Sequence, residues 1–293
     1  MMSVKPTVII DNLAFPESPR WHNDRLYVSD WGSQELITLN QQSQRAVVAE
    51  IQAFPFCMAF LPDGQLLVVT KNAVSKVNHG GSLELYADLS VISDKGWNDI
   101  VADGRGNVYV NGGSDGFAGE PGLIGLITSD GTVKQVADDL AFPNGMAITP
   151  DNSTLIVAES YSKVLTAYEI ASDGTLSNRR VWAETGEFGP DGICIDADGA
   201  VWCASGQRCL RLREGGEVLQ EVPLELFCTA CMLGGSEQKT LYMTVVHWDS
   251  EETQAELGKI AQSLETGRPT KWSGKRTGQV LSVSAPAAKV GWN

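Results

Sequence analysis

Phe142-Pro143-Asn144-Gly145-Met146-Ala147-Ile148-Thr149-Pro150-Asp151-Asn152-Ser153-Thr154-Leu155-Ile156-Val157-Ala158 contains a short phrase, a β-forming run, a Pro-Asp turn and a second β-forming run. The phrase recurs as Phe15-Pro16-Glu17-Ser18, Phe54-Pro55-Phe56-Cys57, Gly96-Trp97-Asn98-Asp99, Gly189-Pro190-Asp191-Gly192 and, more weakly, Phe227-Cys228-Thr229-Ala230. One shared position therefore holds Glu17, Phe56, Asn98, Asn144, Asp191 and Thr229, at intervals of 39, 42, 46, 47 and 38 residues. Intervals of about 40–50 residues are those of one four-stranded propeller blade. The expected fold is all-β, a six-bladed propeller whose shared position faces a common axis.

The runs around the phrases support this period. Pro62-Asp63-Gly64-Gln65, Asp103-Gly104-Arg105-Gly106 and Asp196-Ala197-Asp198-Gly199 each separate two short apolar runs. Such clusters make hairpins because Gly supplies positive φ and Asp bonds its own turn. Thr7-Val8-Ile9-Ile10 precedes the first phrase without a partner, so it is expected to lie beside Gln279-Val280-Leu281-Ser282-Val283 and close blade six. That closure removes a free sheet edge. Residues 1–293 then form a single domain.

Inner strands leave the face where each phrase begins and second strands return to it, so the loops that follow surround one channel mouth. They carry Trp31, Lys71, Asn72, Asp115, Phe117, Glu120, Glu159, Tyr161, Gln207 and Arg208. The longest starts at His247-Trp248. Its acidic turn after Ser250 and apolar residues at 257, 260, 261 and 264 predict a short amphipathic helix. That segment, about 247–276, reads as a lid insertion.

Composition narrows the partners. A net charge of −14 argues against nucleic acid and against anionic membrane surfaces, both of which need clustered Lys and Arg. No run of 18 apolar residues is present to span a bilayer, and Met1–Pro6 lacks the pattern of a secretory leader. Six scattered cysteines in apolar runs read as small buried hydrophobes of a reducing compartment, so a cytoplasmic location is expected. Cys228 and Cys231, three apart on a strand, are expected on opposite faces.

Glu17, Asn144 and Asp191 offer only oxygen donors, two of them anionic. Hard divalent cations such as Ca²⁺, Mg²⁺ or Mn²⁺ favour such a set, and Zn²⁺ tolerates it less specifically. The competing reading is that these side chains satisfy backbone groups at strand starts. Two carboxylates brought to one axis repel unless a cation or a shared proton lies between them. No histidine stands in a motif that links it to a base role for a serine nucleophile. Of the three histidines, only His247 is expected at the mouth.

Phe15-Pro16-Glu17-Ser18-Pro19-Arg20-Trp21, Trp97-Asn98-Asp99, Phe142-Pro143-Asn144-Gly145-Met146 and Pro190-Asp191-Gly192-Ile193-Cys194-Ile195-Asp196 closely resemble the motifs of the gluconolactonase and senescence-marker-protein (regucalcin-like) family. The resemblance runs from about residue 8 to residue 285. It implies hydrolysis of lactones, often sugar lactones, with one divalent metal in the channel. By the same resemblance Glu17, Asn144 and Asp191 hold the metal, Asp191 is also the catalytic base, and Asn98 binds substrate. Ca²⁺ heads the candidate cations, ahead of Zn²⁺, Mg²⁺ and Mn²⁺. The chain departs from sugar-lactone members where they carry an arginine, for it has Gly96 there. With Phe56, Phe117, Tyr161 and Trp248 at the ring and rim, a pocket less polar than a sugar requires is expected. The expected substrate contacts are Asn98, Phe56, Glu120, Tyr161 and His247, and the partner is a small lactone. The alternatives are an aryl-ester or organophosphate hydrolase on the same metal site, or a non-catalytic metal-binding propeller.

Overall fold

A computed structural model describes residues 5–115, 119–266 and 270–292. After the first strand, β1 (Thr7–Leu13), the chain forms blade after blade. Blade one comprises β2 (Pro16–His22), β3 (Arg25–Asp30), β4 (Glu35–Leu39) and β5 (Arg45–Glu50). Blade two comprises β6 (Cys57–Phe60), β7 (Leu66–Val69), β8 (Ala73–Val77) and β9 (Leu83–Asp88). In blade three the strands are β10 (Trp97–Ala102), β11 (Val108–Gly112), β12 (Gly122–Ile127) and β13 (Val133–Leu140). Blade four has β14 (Pro143–Ile148), β15 (Thr154–Glu159), β16 (Val164–Ile170) and β17 (Leu176–Glu184), and blade five β18 (Ile193–Ile195), β19 (Val201–Ala204), β20 (Arg208–Leu212) and β21 (Val218–Pro223). Blade six is built from β22 (Phe227–Gly234), β23 (Thr240–Val246) and β24 (Gly278–Ser284), with β1 as its outer strand.

Each blade is a four-stranded antiparallel sheet. Their inner strands touch in the cyclic order β2, β6, β10, β14, β18, β22 and back to β2, which closes the ring. As expected, the N-terminal strand completes the last blade, pairing Thr7 with Ser282 and Val8 with Leu281. The core lies between blades rather than at the axis. Trp97 and Val69 pack between blades two and three, Tyr109 and Met146 between three and four, and Trp202, Cys231 and Met243 in the large cluster that joins five, six and one. Burial of such side chains contributes about 1.5–3 kcal/mol each.

The turns between inner and second strands use the chemistry read in the sequence. Asp103 accepts the backbone N–H groups of Arg105 and Asn107, both at 2.8 Å, and Gly106 takes φ +83°. On that same face the C-terminal segment crosses the propeller. Lys289 N–H donates to Gln238 O at 2.7 Å, Ala197 N–H donates to Ala288 O at 2.9 Å, and Trp292 covers Gly104.

The insertion forms α1 (Glu251–Glu265). Ser250 caps it, its Oγ accepting Thr253 N–H at 3.1 Å, and Glu251 and Glu252 occupy the first turn. Leu257 and Ile260 bury against Ala14, Phe15, Val246 and Trp272. No described helix is long and apolar enough to cross a membrane.

Candidate functional site

The residues at the shared position are aimed by breaks in strand pairing. Register slips between Glu17 and Arg20 in β2, between Trp97 and Ile100 in β10, between Pro143 and Met146 in β14 and between Cys228 and Ala230 in β22. A β-bulge inserts one unpaired residue and re-aims the side chain beside it. Glu17, Asn98, Asn144 and Thr229 thereby reach the axial cavity, and Asp191, just ahead of β18, joins them. Asp191 is fixed through its backbone, whose N–H donates to Ala204 O at 2.8 Å.

Two glycines make this crowding possible. A Cβ on Gly145 would lie 2.6 Å from Asp191 O and Ile193 N, and one on Gly192 would lie 2.3 Å from the Cβ of Ala230. The glycine after the ring residue in the Asn-Gly and Asp-Gly pairs therefore serves the close approach of neighbouring inner strands, not a turn.

Blade two departs from the pattern. Strands β6 and β7 pair without interruption from Cys57–Val69 to Phe60–Leu66, so nothing turns Phe56 inward. Its ring is fully buried with Leu36, Ile51 and Met58, while its carbonyl accepts the indole N–H of Trp31. The expectation that Phe56 contacts substrate is corrected accordingly. The bulge in β22 corrects another. With Thr229 inserted, Cys228 and Cys231 both enter the core between blades five, six and one.

Other rim residues divide. Tyr161 lines the cavity and stacks on Phe142 with ring centroids 4.7 Å apart. Glu120 does not line it. Its Oε2 accepts Asp115 N–H at 3.0 Å, which folds the loop and leaves Asp115 on the cavity wall. His247 is exposed just past the end of β23 and borders an outer groove with Asp11, Lys275 and Arg276, whereas Trp248 returns to the cavity. Glu159 is buried in an ion pair with Arg179 at 3.0 Å. Phe117 lies outside the described residues.

The cavity measures about 590 Å³. Its floor is acidic. Burial, then the neighbouring Asp191 charge, pushes the Glu17 carboxyl well above its ordinary range, partly offset by Ser18 N–H at 2.7 Å. Burial and the charge of Asp99 push Asp191 up likewise, and the Asn144 amide and Gly192 N–H pull it back. Asp99 lies beneath, 3.0 Å from Arg20 Nη2, and accepts Met146 N–H at 2.9 Å. Among the described residues no Lys, Arg or His forms an ion pair with Glu17 or Asp191. Asn98 Nδ2 lies 3.3 Å from both Asn144 Oδ1 and Pro143 O, and Asn144 Nδ2 lies 3.3 Å from Ser160 Oγ. Among the described residues no three of His, Cys, Asp and Glu gather as a metal set, so a cation here would rest on two carboxylates and the Asn144 amide oxygen. That donor chemistry fits a hard divalent ion, because two enclosed like charges without a cationic partner are what such an ion would neutralise.

The walls were less visible in the sequence. Phe15, Phe54, Gly96, Phe142, Gly189 and Phe227 all line the cavity, and each stands two residues before a ring position. The signal was present in the phrases themselves, whose opening residue repeats as Phe, Phe, Gly, Phe, Gly, Phe.

Fold and site together define a six-bladed propeller with an acidic, oxygen-rich pocket at one end of its axis. The chain belongs to the SMP-30/Gluconolactonase/LRE-like family, whose model matches residues 15–247. A pentonolactonase of Haloferax volcanii is 28% identical over 298 residues, covering 89% of this chain and 95% of its own. A 6-deoxy-6-sulfogluconolactonase of Pseudomonas putida is 32% identical over 129 residues, covering 42% of this chain and 44% of its own. Among solved structures, a luciferin-regenerating enzyme superposes with a TM-score of 0.80 at 19% identity, covering 98% of this chain and 99% of that one. A calcium-binding regucalcin of Agrobacterium tumefaciens gives 0.74 at 18%, covering 99% and 97%.

Proposed function

We propose that this protein opens lactone rings by attack of water on the ester carbonyl, using one divalent cation held by Glu17, Asn144 and Asp191. Ca²⁺ heads the candidates, with Mg²⁺, Mn²⁺ and Zn²⁺ behind it. The carrying observation is the meeting of these three side chains, from blades one, four and five, on the floor of an axial cavity in a chain of the gluconolactonase family. The cation, when bound, supplies Lewis acidity toward the ester carbonyl.

The chain's own residues supply the remainder. Asp191 takes the proton of the attacking water, a role open to a carboxylate that lines the cavity floor beside the substrate's ester. Asn98, whose Nδ2 makes two long contacts of 3.3 Å, turns its amide to the substrate. Ser160 orients Asn144 while donating its own proton to Pro190 O at 2.7 Å. Helix α1 and Trp248 act as a lid segment beside the mouth, where Gln254 and Trp248 line the cavity. Six buried free thiols suit a cytoplasmic setting.

The aromatic walls also favour a second reading, aryl-ester hydrolysis on the same floor. A pH-drop assay on chelated protein, with each cation restored in turn, compares aldonolactones, alkyl lactones and aryl esters. Lactone turnover that returns with a cation and falls at least about 100-fold in Asp191→Asn is expected. Absence of lactone turnover with every cation, or an Asp191→Asn protein as active as its parent, rules the reading out.

A further inference from the structure

The six phrase openers, each two positions before a ring position, line the same cavity as the acidic floor, Phe15, Phe54, Phe142 and Phe227 forming an aromatic collar interrupted by Gly96 and Gly189. On one side the aromatic surface is continuous. Trp31 stacks on Phe15 at 5.5 Å and meets Phe54 edge-on at 5.5 Å, while Trp248 packs against Phe15 at 5.6 Å and Phe227 at 5.9 Å.

The two glycines are not equivalent. At Gly189 a Cβ would lie 2.2 Å from Ser160 O, so the collar there is filled by backbone. At Gly96 a Cβ would meet nothing within 4 Å among the described residues, and its φ lies outside the left-handed region. Gly96 is thus an open notch in an otherwise aromatic wall. Charge adds a second constraint. The ionisable groups lining the cavity among the described residues are Glu17, Asp115, Asp191 and Tyr161, with no Lys, Arg or His. An anionic substituent on the arm would find no cationic side chain among the described lining residues, and a polyhydroxylated arm would meet rings over much of the wall.

We propose that the substrate is an uncharged lactone bearing an apolar arm, its ester on the floor and its arm within the phenylalanine collar, entering the notch at Gly96. This rests on the hydrolytic reading above and specifies its substrate class. Apolar surface removed from water drives the selection, and each buried methylene multiplies affinity about fourfold.

The test separates binding from chemistry. Isothermal titration with non-hydrolysable δ-lactams, carrying no arm, alkyl arms of increasing length or hydroxyl groups, reads the pocket directly. The matching lactones give kcat/KM. Expected are an affinity that climbs about fourfold per methylene until the collar is full, a hydroxylated lactam weaker than the alkyl ones, and a parallel rise in kcat/KM. Gly96→Phe fills the notch and is expected to cost the longest arm at least tenfold in both measurements, while the armless compounds change less than threefold. Circular dichroism establishes that the variant is folded, and Phe227→Ala, which widens the collar, is expected to move the best-bound arm to a longer one. Affinity flat with arm length, or a hydroxylated compound preferred, overturns this proposal and leaves lactone hydrolysis standing. Lactams that follow the expected trend without any lactone turnover support the pocket assignment and overturn the hydrolytic reading.

Discussion

Glu17 and Asp191 hold a conflict that pH and cations should expose. Both carboxyls are raised by burial first. Below about pH 3 they are protonated in folded and unfolded chains alike. As pH rises from there, the unfolded chain releases its protons freely while the folded one resists, so the cation-free protein loses stability until the raised folded values are passed. Asp191→Asn removes one of the two charges. In chelator its Tm is expected to exceed the parent's by about 2–6 °C at pH 8, and by less at pH 5, even though turnover is lost. Thermal unfolding at the two pH values checks this, and a lower Tm for the variant at pH 8 contradicts it. Calcium restored at about 100 times its Kd is expected to stabilise the parent by about 2.7 kcal/mol. The Asp191→Asn protein is expected to gain far less, and equal gains would place the cation elsewhere.

At the scale of single elements, α1 is secured by a carboxylate as well as by its apolar face. Glu256 accepts Ser273 N–H at 2.7 Å and the Ser273 hydroxyl at 3.0 Å, and pairs with Lys259. The Lys259 hydrogen bond comes first among the contacts that bring the Glu256 carboxyl down to about 2. A lowered value means stabilisation that is complete above about pH 4.5 and is lost as pH falls toward 2. Glu256→Gln is expected to cost about 1–2 kcal/mol at pH 7, with the Tm gap to the parent narrowing as pH falls from about 4.5 toward 2. A gap independent of pH would show that the anchor is steric. The helix was legible in the sequence because its cap, acidic first turn and apolar spacing are all local. Bulges were not. The similar phrases in blades one and two send Glu17 to the axis and Phe56 into the core, and the extra residue opposite β3, present in blade one alone of the two, is invisible in the phrase itself. Strand parity alone likewise misplaced Cys228 relative to Cys231. His247 escaped for a related reason. Its neighbours Val246 and Trp248 are the ones held by core and cavity, a parity fixed only by where β23 ends.

For the whole molecule, the repeat period was sufficient to foresee six blades and their closure, since both depend on the order of segments and not on side-chain detail. Closure has a consequence for stability. Most of β1 is exposed, so its role rests on backbone pairing with β24 more than on buried area. Without it, β24 becomes an open edge of unpaired N–H and C=O groups, a template for pairing with another chain. The C-terminal segment would still bind the opposite face through Ala197 and Gln238, so the ring would keep one of its two ties. A chain lacking residues 1–12 is therefore expected to retain a folded core, since the interblade clusters remain, but to unfold at least 5 °C lower and to associate as concentration rises. Circular dichroism melts and light scattering across a hundredfold concentration range measure both effects. Adding the missing strand as a separate peptide should reverse them, because the open edge of β24 offers the same hydrogen bonds to a strand in trans. A truncated protein as stable and as monomeric as the full chain would show that closure is carried by the inner-strand ring alone.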